Sequence, residues 1–378
     1  MHFRDLNKQY LHLKEEIDFS IAQVTSSGDF IHGKAVKTLE LELAEYVGTN
    51  HCISCANGTD ALTLALKTWN IQKGDAVFVP DFTFFATSEV VSLEGALPVF
   101  VDVDSETFNI DPNDLEIKIC KIINDAKYIP KVIISVDLFG LPANYPKIIE
   151  IAKKYGLYIL EDSAQGFGGN INNKRNCSFG DISTTSFFPA KPLGCYGDGG
   201  AIFTDNNEWA SHMKSLREHG KGEYKYDNIN IGMNSRLDTI QAAILSVKLR
   251  AFNNFELERV NEISKLYSSQ LKDYVGTPLI PNGYMSSWAQ YTIRLDSSEE
   301  RNNLKIFLED NNIPSMIYYP KTLSNQTVYK NISIDNNVNP VAQKLSETVL
   351  SLPMHPYLTD EDAELVINTI KKFFINRN

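Results

Sequence analysis

Leu157-Tyr158-Ile159-Leu160-Glu161-Asp162-Ser163-Ala164-Gln165 is the stretch on which the fold turns. A short apolar run ends in two acids, and Gly166-Phe167-Gly168-Gly169 follows at once as a turn. Upstream, Tyr145 to Tyr155 carries helical periodicity and Lys131 to Val136 is another apolar run. Farther back the alternation recurs. Cys52 to Cys55 precedes a helix over Asp60 to Trp69, Ala76 to Val79 precedes one over Thr87 to Leu93, and Val99 to Val103 follows Gly95. Repeated strand-then-helix order predicts an α/β fold with a mostly parallel sheet and helices on its faces.

Two helices lead into this region. Phe3, Leu6, Tyr10, Leu13, Ile17, Ile21 and Val24 recur at three- and four-residue steps up to Ser26-Ser27-Gly28, and a second helix runs from about Ala35 to Tyr46. After Gly232 the texture changes. Leu237 to Leu271 reads as one or two long helices, Ala289 to Leu295 as a strand, and Glu299 to Asn311, Pro340 to Leu350 and Asp360 to Phe374 as helices. The expectation is a large domain over residues 1–245 and a smaller C-terminal α+β domain over 246–378, with Asn331 to Asn339 as a surface loop.

At 378 residues the chain exceeds the size of one core, in keeping with two domains. Its net charge of −11 argues against a protein that coats nucleic acid or an anionic membrane. No stretch approaches the ~18 consecutive apolar residues of a membrane span, and Met1-His2-Phe3-Arg4-Asp5 does not resemble a secretory signal, so a cytoplasmic location is expected. Cys52, Cys55, Cys120, Cys177 and Cys195 are odd in number and scattered, which suits reduced thiols. Cys52 and Cys55 form a C-x-x-C, but no second pair completes a metal site; no metal is expected.

Four loops at predicted strand ends hold the chemistry, where cofactor sites of α/β proteins gather. In Ala56-Asn57-Gly58-Thr59-Asp60, glycine permits a tight turn and the Thr59 hydroxyl is expected to cap a helix whose free N–H groups suit a phosphate. The acids ending Leu160-Glu161-Asp162 suit either a helix cap or a cationic cofactor nitrogen. Pro80-Asp81-Phe82-Thr83-Phe84 offers a ring for stacking or packing. In Ser186-Phe187-Phe188-Pro189-Ala190-Lys191-Pro192-Leu193-Gly194, with Gly197-Asp198-Gly199-Gly200 behind it, a lysine sits in an aromatic, glycine-rich turn. A lysine held there loses its proton readily and can form a Schiff base with an aldehyde. Anion cradle, flat partner, carboxylate and imine-forming lysine together are what pyridoxal phosphate requires. Neither a G-x-G-x-x-G nor a G-x-x-x-x-G-K-[ST] loop is present.

Gly58-Thr59-Asp60-Ala61-Leu62, Glu161-Asp162-Ser163-Ala164-Gln165, Ser186 to Gly200 and Asn234-Ser235-Arg236-Leu237-Asp238 resemble the fold-type-I sugar aminotransferases of the DegT/DnrJ type, nearly end to end. The resemblance implies pyridoxal 5'-phosphate, with a pyridoxamine phosphate form in turnover, and amination of a keto sugar on a nucleotide carrier. It makes Lys191 the Schiff-base lysine and proton shuttle and Asp162 the pyridinium partner. It puts Gln165 near the phenolic oxygen, Phe82 over the ring, and Gly58, Thr59 and Ser186 at the phosphate. It also implies a homodimer, in which Asn234 reaches the neighbouring subunit's phosphate and Arg236 lies at the sugar end. The wording of Cys52 to Thr59 and Lys191 to Gly200 is similar to members making 3-amino sugars. The substrate so implied is UDP-2-acetamido-3-oxo-glucuronate, aminated from L-glutamate for O-antigen or another surface polysaccharide.

One departure stands out: Ile317-Tyr318-Tyr319-Pro320 has Tyr318 where many such members carry histidine. Tyrosine still donates a hydrogen bond but does not titrate near neutral pH. His219 in Glu218-His219-Gly220 reads as a substrate contact or a helix-end residue, and His355 as a site or strand-end residue. Alternatives are a 4-aminotransferase, or another 3-aminotransferase, of a dTDP- or UDP-keto-6-deoxyhexose, and a sugar-sensing regulator on the same fold. The related dehydratases replace the lysine with histidine, against the lysine at 191.

Overall fold

The computed structural model describes residues 1–224, 226–330 and 339–375. In chain order its elements are α1 (Leu6–Ser27), α2 (Lys34–Val47), β1 (His51–Cys55), α3 (Gly58–Thr68), β2 (Asp75–Pro80), α4 (Ala86–Leu93), β3 (Leu97–Val101), α5 (Pro112–Asp125), β4 (Ile129–Val136), α6 (Tyr145–Tyr155) and β5 (Tyr158–Asp162). Then follow β6 (Asn170–Ile171), β7 (Lys174–Arg175), β8 (Ile182–Ser186), β9 (Gly200–Thr204), α7 (Asn207–Leu216), α8 (Thr239–Ala251), α9 (Leu257–Leu271), β10 (Tyr284–Met285), β11 (Tyr291–Arg294), α10 (Ser298–Asp310), α11 (Pro340–Thr348), β12 (Val349–Leu352) and α12 (Asp360–Ile375).

Seven strands form the central sheet in the order β1-β9-β8-β5-β4-β2-β3, and β9 alone runs against the other six. The middle strands are buried along almost their whole length, which explains why they read as unbroken apolar runs. Helix α6 shows how local signals set the ends of the covering helices. Asn144 caps it, Pro146 sits in its first turn, Tyr145, Ile148, Ile151 and Ala152 make its buried stripe, and Gly156 closes it at φ 67°. Helix α5, which packs on β4 and beside α6, and the reversed strand β9 are not anticipated from the sequence pattern.

The stretch expected as one or two helices over Leu237 to Leu271 is one continuous helical rod that begins at Thr239. Helix α8 passes through a wider π turn at Phe252–Glu256 straight into α9. Ile244, Val247 and Ala251 of α8 pack with Leu13 and Ile17 of α1. Val260, Ile263, Tyr267 and Leu271 of α9 join a separate core with Tyr291, Ile293, Leu350, Leu352, Ile367 and Ile370. Position 245 therefore lies inside a helix that packs on α1. The apolar run at Val349 to Leu352 is a strand paired with β11 and not the end of a helix. Residues 331–338 of the expected surface loop lie outside the described residues. Among the described residues no helix is long and apolar enough to cross a membrane.

Candidate active site

Strands β1, β2, β4, β5 and β8 all end at one cavity of about 680 Å³. Register aligns these ends. Val136 pairs with Asp162, Asp162 with Thr184, and Gly200 with both Ser186 and Cys55.

The cradle forms where β1 turns into α3. Asn57, not Thr59, is the cap: its side chain accepts from the Asp60 N–H at 2.8 Å, correcting the sequence expectation and leaving the Thr59 hydroxyl on the cavity wall. The N–H groups of Gly58 and Thr59 precede the first intrahelical bond. Close approach dictates two glycines here. A Cβ on Gly58 would stand 2.8 Å from the Ser186 Cβ, and one on Gly200 would stand 2.6 Å from the Asn57 carbonyl carbon and oxygen. Gly58, Thr59 and Ser186 thus meet in one concave, N–H-rich corner.

Strand β5 delivers two acids to opposite faces, as alternation requires. Glu161 is fully buried and accepts from the N–H groups of Cys177, Phe179 and Gly180 and from the Ser183 hydroxyl, which marks it as an anchor for the following loop. Asp162 faces the cavity. Its Oδ2 accepts from the Thr87 hydroxyl at 3.1 Å and its Oδ1 from the Ala164 N–H at 3.2 Å. Burial pushes the Asp162 carboxyl above its usual range, opposed by the Ala164 N–H, the Lys191 charge and the Thr87 hydroxyl. Lys191 enters from the loop between β8 and β9. Burial pushes its amine below the ordinary lysine value, Asp162 opposes this, and Arg4 adds to it.

The far wall comes from the C-terminal part. Gln165 donates through Nε2 to the Tyr319 hydroxyl at 2.9 Å and accepts at Oε1 from the Phe139 N–H. Tyr318, Tyr319, Pro320 and Lys321 line the cavity. Asp81 ties this segment to the end of β2 by accepting from the Ser324 N–H and hydroxyl, both at 2.6 Å, and from Asn339 Nδ2 at 2.8 Å.

Of the aromatic pair Phe82 and Phe84, Phe82 is not on the cavity. It is 1% exposed and packs edge-on against Phe139 and Tyr319, whereas Phe84, 56% exposed, lines the cavity. Of the two rings, Phe84 is the one the cavity presents. Asn234, Arg236 and His219 are away from this chain's cavity; Asn234 and His219 are exposed. His219 adopts φ 63° and its N–H donates to the Met233 carbonyl, the helix-end arrangement. His355 is buried, and burial holds its imidazole down to about 4. Cys52 and Cys55 are buried in β1, where burial pushes both thiols up. Sequence reasoning passed over Asn57, Phe84, Thr87, Tyr319 and Arg4. Asn57 carried a signal, an Asn directly before a Gly-Thr helix start; Arg4 carried none, because its partner is 187 positions away.

These residues fit pyridoxal phosphate. A buried carboxylate without a full counter-charge calls for a cation, and the glycine-lined corner at the start of α3 calls for an anion. With the lysine between them, the fold and the cavity define a fold-type-I pyridoxal-phosphate enzyme.

The chain belongs to the DegT/DnrJ/EryC1/StrS aminotransferase family, matching it over residues 12–371. It is 41% identical to the UDP-2-acetamido-2-deoxy-3-oxo-D-glucuronate aminotransferase of Pseudomonas aeruginosa, over 96% of this chain and 98% of that one. It is 39% identical to a pleiotropic regulatory protein of Geobacillus stearothermophilus, over 98% and 97%. A crystal structure of a family aminotransferase from Brucella abortus superposes with a TM-score of 0.96 at 48% identity, covering 99% of both chains. NtdA from Bacillus subtilis, solved with bound PMP, superposes at 0.86 with 27% identity, over 97% of this chain and 82% of that one. The protein is a transaminase that uses pyridoxal 5'-phosphate.

Proposed function

We propose that the enzyme moves the amino group of L-glutamate to the C3 keto group of UDP-2-acetamido-3-oxo-glucuronate, for O-antigen or another surface polysaccharide made in the cytoplasm. One observation carries the reading. The cavity that joins Lys191 to Asp162 also has a wall, Tyr318 to Lys321, that stands clear of the cradle and offers hydroxyl and ammonium donors to a sugar. The named activity of the Pseudomonas relative supports the choice of sugar.

The bound cofactor supplies an electron sink for charge developing at the donor's α-carbon. The chain supplies the rest. Gly58, Thr59 and Ser186 would hold the phosphate, Asp162 would pair with the ring nitrogen, Phe84 would cover one ring face, and Gln165 would serve the phenolic side. Lys191 carries the proton between carbons, and burial, which weakens its hold on that proton, favours the amine as the base. Among the described residues lining the cavity, Lys321 is the one basic side chain besides Lys191, so it meets the negative charge of the substrate in a protein whose net charge of −11 repels it.

A homodimer with shared sites belongs to the same proposal. Tyr224, Tyr226, Ile229 and Ile231 are exposed on one excursion between α7 and α8, beside the exposed Asn234, and Phe30 and Ile31 add apolar surface. Covering this patch with a second copy would carry Asn234, Arg236 and His219 to the partner's cavity. The division of the chain into a cofactor part and a smaller C-terminal part is also proposed, with the join at Phe252–Glu256.

The test is to incubate the pyridoxamine form with 3-keto and 4-keto nucleotide sugars and follow the return of the pyridoxal absorbance. Rapid return with the 3-oxo-uronate is expected; return only with 4-keto-6-deoxyhexoses would replace the sugar assigned here. The name of the Geobacillus relative supports a second reading, a regulator. A yellow protein that bleaches on adding glutamate excludes a protein that only senses.

A further inference from the structure

The segment ahead of α1 carries Arg4 to the loop that holds the catalytic lysine. Arg4 Nη2 donates to the Lys191 carbonyl oxygen at 2.6 Å and reaches the Pro192 carbonyl oxygen at 3.4 Å. The neighbouring acid is otherwise engaged, since Asp5 caps α1 by accepting from the Lys8 N–H at 2.8 Å. Glu256, the acid whose field favours the Arg4 charge, accepts at Oε1 from Gln9 Nε2 at 2.8 Å and from the Tyr357 hydroxyl at 2.7 Å. The guanidinium is therefore a clamp on main-chain oxygens, a task its planar fork suits.

We propose that Arg4 is a positioning residue for Lys191: it fixes the backbone from which the lysine stem departs and sets a positive charge beside the reacting amine. Fixing the carbonyl fixes the Cα, and with it the arc that the side chain can sweep between the carbons it serves. The charge acts on the amine itself. Burial brings Arg4 down to about 10, so it remains a cation at neutral pH, and it disfavours a second cation at Lys191. The other groups in the neighbourhood do not cancel this. Asp162 favours the lysine's proton and Glu256 attracts Arg4. Lys248, brought down to about 8 mainly by burial and lying over the Tyr196 ring, is a further base, and His355 is neutral at neutral pH.

The test uses full-length enzyme in its pyridoxamine form, in which Lys191 is a free amine. Acetic anhydride labelling of Lys191, read by mass spectrometry from neutral to alkaline pH, gives the midpoint of its deprotonation. Arg4→Gln keeps an N–H donor and removes the charge. Its midpoint is expected to rise, and each unit of rise lowers Lys191 labelling at neutral pH about tenfold. Arg4→Lys keeps the charge and should restore the midpoint, while losing the fork should lower kcat with KM for glutamate unchanged. A folded Arg4→Gln enzyme with the wild-type midpoint overturns the proposal, even if its melting temperature falls, because a merely structural arginine would behave so. Should Arg4→Gln not fold, Arg4→Lys decides: wild-type kcat there overturns the clamp.

Discussion

Thr87 is buried beside Asp162, and its replacement by valine removes the hydrogen bond to the carboxylate that faces the cavity, together with a 3.4 Å contact to the Thr83 hydroxyl. The bond from its hydroxyl to Asp162 Oδ2 is 3.1 Å long, and both residues are buried. Hydrogen bonds to charged groups contribute about 1.5–3 kcal/mol. Losing this donor raises the Asp162 carboxyl further, in the same direction as burial already does. The donor stabilises the ionised form, so ionisation is then lost at a higher pH on acidification. The acidic limb of the rate profile should accordingly move upward. If the full energy appears in the barrier, the glutamate half-reaction slows by about 10- to 100-fold. Stopped-flow mixing of the pyridoxal form with glutamate, followed by absorbance across a pH series, reads both quantities. Thr87→Ser retains the hydroxyl and should stay close to wild type. A Thr87→Val enzyme with an unmoved acidic limb and a rate within about twofold of wild type would refute the role given to this bond.

Lys191→Ala should lower turnover by at least about 10²–10⁴-fold, the usual range for removing a positioned acid–base group; retained transamination with glutamate would show that another residue moves the proton. Gly200→Ala places a Cβ 2.6 Å from the Asn57 carbonyl and should cost about 1–3 kcal/mol of stability, with weaker cofactor binding measured by titration of the apo-protein; unchanged affinity would detach Gly200 from the cradle. Asp137→Asn tests a buried acid whose carboxyl is pushed up, first by burial and then by Glu161. A raised native pKa means that wild-type stability declines as pH climbs from the unfolded-state value through the native one, so the variant's urea midpoint should vary less with pH over that window. Equal slopes for the two proteins would contradict the assigned direction.

The alternation of apolar runs with helical periods was enough to reveal the parallel sheet, because strands covered on both faces have no polar positions to blur the pattern. Asp162 and Lys191 were legible for a related reason. A carboxylate ending an apolar strand and a lysine in an aromatic, glycine-rich turn are both poorly accounted for by solvation. Choosing between Phe82 and Phe84 was beyond the sequence. Two aromatic residues two positions apart look alike until Phe139 and Tyr319 enclose one of them. Strand β9 was hidden because its direction depends on partners far away in the chain, β1 and β8. Tyr319 and Arg4 owe their places to contacts with Gln165 and Lys191 that no local pattern encodes.

The pairing of Cys55 with Gly200 has a bearing on how the molecule is made. A ribosome that has just released the first strand has produced the Gly58-Thr59 turn but not the strand that backs it. Only when Gly200 zips alongside does the corner acquire its floor, and long-range pairings of this kind form late. Pyridoxal phosphate can therefore grip only chains whose sheet is complete. By binding those and no earlier species, vitamin supply becomes a brake on unfolding, and cells short of the cofactor should lose this protein to proteolysis before they lose its message.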